Sequence, residues 1–193
     1  DENPKTILRV LDMGAQGIQV PHIAGAEGAR KAVEAVRYPP FGDRGGAGST
    51  RAAGYGSVPW VEHMKTSNEE ILLIVMTEDI QSLADIADIA AVDGVDLIAL
   101  GPTDISTALG MTDPADPKLK QTFEELAAKV KAVGKAGVYI PVNHAACRFT
   151  PQDLLAMGVN YSSVAPAPPT IVLNALKASA ETIRKEASMG LET

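Results

Sequence analysis

ILLIVMTED at Ile71–Asp79, followed by DGVDLIALGPTD at Asp93–Asp104, decides the fold. Ile71–Met76 and Leu97–Leu100 are nearly unbroken apolar runs, as expected for parallel strands buried on both faces. Between them, SLADIADIAAVDG sets Leu83, Ile86, Ile89 and Ala90 at helical spacing, with Gly94 as a C-cap. The unit is therefore strand–helix–strand. A right-handed crossover puts both strand C-termini on one sheet edge, and neighbouring strands lie about 4.8 Å apart. Each run ends in an acid, so Glu78 and Asp104 converge at one mouth. Two hard oxygen ligands, completed by water and substrate, suit a divalent cation such as Mg or Mn. The competing reading makes such acids helix N-caps, with Asp104 capping ISTALG. Gly101-Pro102-Thr103 favours a site. Gly101 permits close backbone approach and Pro102 stiffens the turn, which aims the N–H groups of Thr103 and Asp104 at an anion beside the metal.

Outward from this unit, strands and helices alternate. Asn3–Met13 reads as a helix with Ile7, Val10 and Leu11 on one face, and Ile18–His22 as a strand. Ala26–Tyr38 is an amphipathic helix, and a short helix over Val61–Glu70 leads into the central strand. Lys118–Ala132 is a helix, Val138–Val142 a strand, Thr150–Gly158 a short capped helix, and Tyr161–Ala165 a fifth strand. Pro166–Pro169 reads as a rigid loop before a long final helix, Thr170–Met189, with Leu173, Leu176, Ala180 and Ile183 along one side. Five strands alternating with helices predict a parallel sheet, either doubly wound or a barrel. The glycine-rich segment from Tyr38 to about Trp60 has no period and reads as a long loop. Arg44 and Arg51 in it are candidates for a substrate carboxylate or a neighbouring subunit, or are simply solvated.

The 193 residues carry a net charge of −7 and are 46% hydrophobic, which fits one globular domain. The acidic balance argues against nucleic acid and anionic membranes, and no apolar run reaches the roughly 18 residues of a membrane span. The single cysteine, Cys147, excludes an intrachain disulfide framework and, with no signal-like start, suggests a cytoplasmic protein. Cys147 itself reads as a buried small residue.

These segments together resemble the HpcH/HpaI family of metal-dependent class II pyruvate aldolases. The likeness is carried by LDMGAQGIQVP (Leu11–Pro21), RYPPFGDRG (Arg37–Gly45), the strand ending at Glu78, VDGVDLIALGPTD (Val92–Asp104) and Gly134-Lys135. It extends along most of the chain, nearest to aldolases of 4-hydroxy-2-oxoheptanedioate and of 2-keto-3-deoxy sugar acids. The resemblance implies a (β/α)8 TIM barrel of the phosphoenolpyruvate/pyruvate type, of which residues 1–193, a single domain, hold strands four to eight. It implies that Glu78 and Asp104 hold Mg or Mn, with Co a third candidate. It also implies that Gly101, Pro102, Thr103 and Asp104 line the substrate site, with the backbone of Thr103 on the pyruvate carboxylate. Asp12 would support a general-base His expected upstream of Asp1, together with an Arg, so the 193 residues alone are expected to be inactive. None of His22, His63 and His144 takes that role by motif. His22, at a strand C-terminus, comes nearest. One departure stands out: Met76 occupies a position where the family usually has a substrate-touching Gln, and a thioether donates no hydrogen bond.

The activity implied is reversible cleavage of a 4-hydroxy-2-oxo acid to pyruvate and an aldehyde through a metal-stabilised pyruvate enolate. The alternatives are an acyl-CoA lyase of the citrate lyase β or malyl-CoA lyase type, or a non-catalytic paralogue that binds a keto acid. The family also implies a dimer-based homohexamer with the Thr170–Met189 helix exchanged between subunits. Otherwise that helix is an ordinary barrel helix on its own subunit.

Overall fold

The computed structural model describes residues 2–163 and 168–189. Four strands form one parallel sheet in sequential order: β1 (Gly17–Val20), β2 (Leu72–Thr77), β3 (Leu97–Leu100) and β4 (Gly137–Tyr139). A doubly wound sheet reverses its strand order part-way, whereas a barrel does not. The unbroken order therefore favours the barrel-like alternative. The predicted fifth strand is begun by a parallel bridge between Tyr139 and Tyr161 and by the Val142 N–H donating to Ser163 O at 3.1 Å. Its remaining positions, 164 and 165, and the start of the Pro166–Pro169 loop lie outside the described residues.

Helices cover one face of the sheet. α1 (Pro4–Asp12) starts where the Asn3 side chain accepts from the Lys5 N–H at 2.9 Å and Pro4 takes the first turn. It buries Ile7 and Leu11, one turn apart. α2 (Gly25–Val36) and the long α7 (Pro117–Val133) bury Val33, Val36, Phe123 and Leu126 in the same core, against Leu73, Val75, Ile98 and Val138 of the strands. The other face carries only a small apolar cluster: Ile74, Leu97 and Ala99, flanked by Leu72, Met76 and Tyr139. β3 is thus buried throughout, as its run predicts, while β2 leaves Leu72 and Met76 half-buried.

Two expectations are corrected. The β2–β3 crossover is two short helices, α4 (Ile80–Ala84) and α5 (Ile86–Ala90), because Asp85 leaves helical geometry at φ −91°, ψ 11° and accepts from Gln81 Nε2. Gly94 is not a C-cap, since Ala91 ends α5. Gly94 makes the turn into β3 at φ +92°, where a Cβ would stand 2.8 Å from Val33 Cγ1. The residues between α2 and α3 (Trp60–Glu70) do form a long loop, relieved by one 3-10 turn at Gly54–Gly56. α6 (Pro102–Ala108) follows β3, α8 (Pro151–Met157) follows β4, and α9 spans Pro168–Met189. Ile171, Val172, Leu173, Leu176 and Ile183 of α9 are exposed, so the described residues do not cover its apolar side. No helix among the described residues is long and apolar enough to cross a membrane.

Candidate active site

The register of β2 and β3 builds the mouth. Thr77 pairs with Leu100, so the next residues on the two chains are Glu78 and Gly101. The Glu78 side chain is 2% exposed. A Cβ on Gly101 would sit 2.8 Å from Glu78 Oε2 and 3.2 Å from Met76 Cε. A side chain at Gly101 would therefore displace the tips of Glu78 and Met76, while its φ of −75° makes no demand for glycine. The first turn of α6 then presents Pro102, Thr103 and Asp104. Gly101 is the N-cap, and Asp104 lies inside the first turn, so Asp104 is not a cap. Asp79, not Glu78, is the residue that caps α4. The N-cap reading thus fails for both acids.

The surroundings of Glu78 fix its carboxylate. Ser82 Oγ accepts from the N–H groups of Glu78 and Asp79, each at 3.1 Å. The His22 N–H donates to Glu78 Oε1 at 3.0 Å, and His22 Nδ1 lies 3.3 Å from the same oxygen. His22 holds φ +54° and Asn143, near the C-terminal end of β4, holds φ +50°, so two non-glycine residues at this edge keep left-handed backbone. Among the described residues no Lys or Arg pairs with Glu78 or Asp104. A buried carboxylate without a cation is costly unless hydrogen bonds or a metal compensate it. The donor set therefore fits a hard divalent cation. No group of three side-chain ligands occurs among the described residues, so water and substrate oxygens would complete the shell.

A cavity of about 250 Å³ opens here, lined by Met76, Gly101, Pro102, Thr103 and Asp104, and also by Gln19, Tyr139, His144 and Ser163. The structure thus brings the sequence-predicted Met76 and Gly101–Asp104 to one cavity, and Glu78, not itself a lining residue, adjoins it through its contact with Gly101. No sequence signal marks Gln19 or Ser163 for this cavity, and His144 stands out in the sequence only as one of three histidines. Gln19 alternates with the buried Val20 and pairs with Ile74, which places it on the face away from the helices.

Asp12 is not at this mouth. It ends α1 at the opposite, N-terminal edge of the sheet, where Arg44 Nη2 pairs with its Oδ1 at 3.2 Å. Arg44 is neither solvated nor at the mouth. It is 4% exposed and stacks 4.5 Å over the Tyr38 ring. A larger cavity of about 590 Å³ lies at this edge, lined by Gln16, Arg44, Arg51 and His63. Its lining already carries two cations, Arg44 and Arg51, so the smaller mouth is the better candidate for cation chemistry. His63 is buried against Tyr38 and Trp60, and burial, then the Arg44 charge, lower its pKa. Arg37, from the RYPPFGDRG motif, donates to Ile71 O at 2.7 Å and to Asp96 Oδ2 at 3.1 Å, a structural clamp. Cys147 is buried, and burial pushes its thiol up to about 12, in keeping with a packing role.

The profile of the HpcH/HpaI aldolase/citrate lyase family matches residues 2–167. The 2-keto-3-deoxy-L-rhamnonate aldolase of Klebsiella pneumoniae is 38% identical over 164 residues, covering 84% of this chain and 59% of that protein. The chain thus spans about three-fifths of the length of this curated relative. The crystal structure of an HpcH/HpaI aldolase/citrate lyase family protein from Burkholderia cenocepacia superposes with a TM-score of 0.78 at 28% identity, over 95% of this chain and 70% of that one. An HpcH/HpaI aldolase from Desulfitobacterium hafniense gives a TM-score of 0.77 at 26% identity, over 95% and 69%. The chain belongs to the HpcH/HpaI aldolase/citrate lyase family.

Proposed function

We propose that this chain carries the metal- and pyruvate-binding half of a class II aldolase that cleaves a 4-hydroxy-2-oxo acid, of the 2-keto-3-deoxy sugar acid kind, to pyruvate and an aldehyde. The observation that carries the reading is the buried Glu78 carboxylate, lodged against Gly101, where the turn that carries Asp104 begins, with no Lys or Arg pairing with it among the described residues. The relatives' names give the reaction class.

Glu78 and Asp104 hold the divalent cation, Mg or Mn with Co as a third candidate. When bound there, such a cation is a Lewis acid that polarises the 2-oxo group and stabilises the enolate. The Thr103 N–H, in the first turn of α6, receives the substrate carboxylate. Ser82 and the His22 N–H hold the Glu78 backbone and Oε1 in place. In cleavage, a base takes the C4 hydroxyl proton, the C3–C4 bond breaks and the aldehyde leaves. The electron pair stays on the pyruvate fragment as the enolate, which is protonated at C3. The base belongs to the part of an eight-stranded barrel that precedes β1, and we read this sheet as strands four to eight of that barrel. The sequential parallel order, the helices on one face and the 69–70% coverage of the solved relatives support this. Asp12 lies at the far edge, so it can position such a base only in a neighbouring subunit. The uncovered apolar side of α9 supports an assembly in which that helix packs on another subunit.

The test is pyruvate release from a simple 4-hydroxy-2-oxo acid by the full-length gene product, with Mg or Mn and then with a chelator. Metal-dependent cleavage should fall about a thousandfold in Glu78→Ala and in Asp104→Ala, roughly 4 kcal/mol of barrier. Cleavage that persists in both variants, or that ignores the chelator, rejects the reading.

A further inference from the structure

Gln19 lies on β1, where the register sets it opposite Ile74, so it faces the side of the sheet that the helices leave open. Met76, two residues beyond Ile74, points to that side as well. Gln19 Nε2 reaches Met76 Sδ at 2.7 Å. A thioether is a weak acceptor, so a carboxamide with this partner has kept most of its donor capacity. The rest of the wall is contiguous. The Met76 methyl and Glu78 Oε2 both close on the face of Gly101 that lacks a Cβ, and Gln19, Met76 and Gly101 line the same cavity as Asp104. The amide therefore sits one side chain away from the position of the acids.

Tyr139, Ser163 and His144, which line the same cavity, are more committed. Tyr139 OH and Ser163 Oγ bond to each other at 2.8 Å. His144 Nδ1 accepts from the Ala146 N–H at 3.1 Å. Among the described residues lining the cavity, Gln19 is the amide whose donor meets only sulfur. An oxo acid chelated at Glu78 and Asp104 would present oxygen lone pairs to this wall. A neutral N–H donor is better placed there than a charged one, because it adds no competing cation beside the metal acids. Exchanging a sulfur acceptor for an anionic oxygen strengthens the bond, and the gain grows as charge develops on the enolate oxygen.

We propose that Gln19 is the specificity-determining donor of this site: its Nε2–H leaves Met76 and bonds an oxygen of the bound 2-oxo acid, with Met76 as the apolar rest against which it is held. The proposal rests on the metal-dependent aldolase reading above.

The test uses the full-length gene product, with KM and kcat for a 4-hydroxy-2-oxo acid, proton exchange at C3 of pyruvate, and the Mg activation constant. Gln19→Leu should raise KM about tenfold, the worth of one hydrogen bond to a charged group, with the Mg constant unchanged. Gln19→Glu, nearly isosteric but acceptor-only, should raise it further. The double variant Gln19→Leu/Met76→Gln, which regrows an amide from the neighbouring strand, should recover most of the loss. Gln19→Leu and Gln19→Glu with unaltered KM and kcat overturn the proposal while leaving the aldolase reading intact. Equal loss in the single and double variants also overturns it, since the effect would then be packing. A wild-type enzyme without metal-dependent turnover or exchange overturns both.

Discussion

At the N-terminal edge of the sheet, Asp12 meets Arg44 at 3.2 Å and Asp96 meets Arg37 at 3.1 Å. At the C-terminal edge, Glu78 and Asp104 close their strands with no Lys or Arg in ion-pair reach among the described residues. Both edges gather acids where helices and strands converge, yet only one supplies cations from its own sequence. The arginines come from RYPPFGDRG and are buried, so that edge is neutralised once the chain folds. The opposite edge holds Glu78 in place with two hydrogen bonds, its own N–H donating to Ser82 Oγ and the His22 N–H donating to its carboxylate, which orient the carboxylate without cancelling its charge. In a parallel α/β sheet this asymmetry separates a stability edge from a chemistry edge.

The sharpest way to break the comparison is to remove one charge from each edge and measure folding stability in urea without metal. Arg37→Ala should cost about 3 kcal/mol, because it strands the Ile71 and Gly94 carbonyls and leaves Asp96 unpaired. Glu78→Gln should leave metal-free stability unchanged or raised, since it removes a buried charge that no Lys or Arg pairs with among the described residues and that His22 offsets only in part. Added Mg should then raise the wild-type unfolding midpoint and not that of Glu78→Gln, by mass action on the native state. Equal losses in the two variants would mean that Glu78 is a structural acid and that the edges do not differ.

The mouth was legible in the sequence because its signals are local. An apolar run locates a strand, the residue after the run locates the strand's C-terminal end, and Gly101-Pro102 marks the turn. The family motifs added the order of the pieces. The clamps at the other edge were not legible, because Arg37 reaches 34 residues to Ile71 and 59 to Asp96. No spacing rule distinguishes such an arginine from a solvated loop residue. The same limit explains Asp12, whose motif was visible but whose edge of the sheet was not. Asp85 broke a helix that looked continuous because its apolar spacing, Leu83, Ile86 and Ile89, survives the break. Gln19 was hidden in plain alternation: in a four-residue strand, period two alone does not say which face will be the site.

A second test concerns the aromatic cluster beside the arginine-rich edge. His63 is kept neutral by burial first and by Arg44 second, so its folded pKa lies below its usual value. As pH falls below about 6.5 the unfolded chain takes up the proton before the native one does, and stability declines. The contribution is complete above that pH and is lost on acidification through the folded pKa. Urea titrations at pH 7.5 and 5.5 should show this slope, and His63→Phe should flatten it while keeping the Tyr38 and Trp60 ring contacts. An unchanged slope would mean that His63 protonates freely and that the cluster is open to water.

The smallest effect separates packing from chemistry within the mouth side itself. Cys147 lies three residues beyond His144, and its N–H donates to the His144 carbonyl at 3.1 Å. The two side chains diverge: His144 lines the cavity, while Cys147 is fully buried in the helix-covered core with Phe149 and Leu154. Burial pushes the thiol up to about 12. Between the ordinary thiol range near 9 and that value, the unfolded chain ionises while the native one does not, so stability present at neutral pH is lost as pH rises. Cys147→Ala should remove that alkaline slope, and at pH 8 the native thiol should resist a disulfide reagent that labels the urea-unfolded chain at once. Fast native labelling would show that the turn carrying His144 opens without global unfolding. The polar side of the cavity would then rest on a movable turn, and the rigid part of the mouth would shrink to the β2 and β3 ends that carry Glu78 and Asp104.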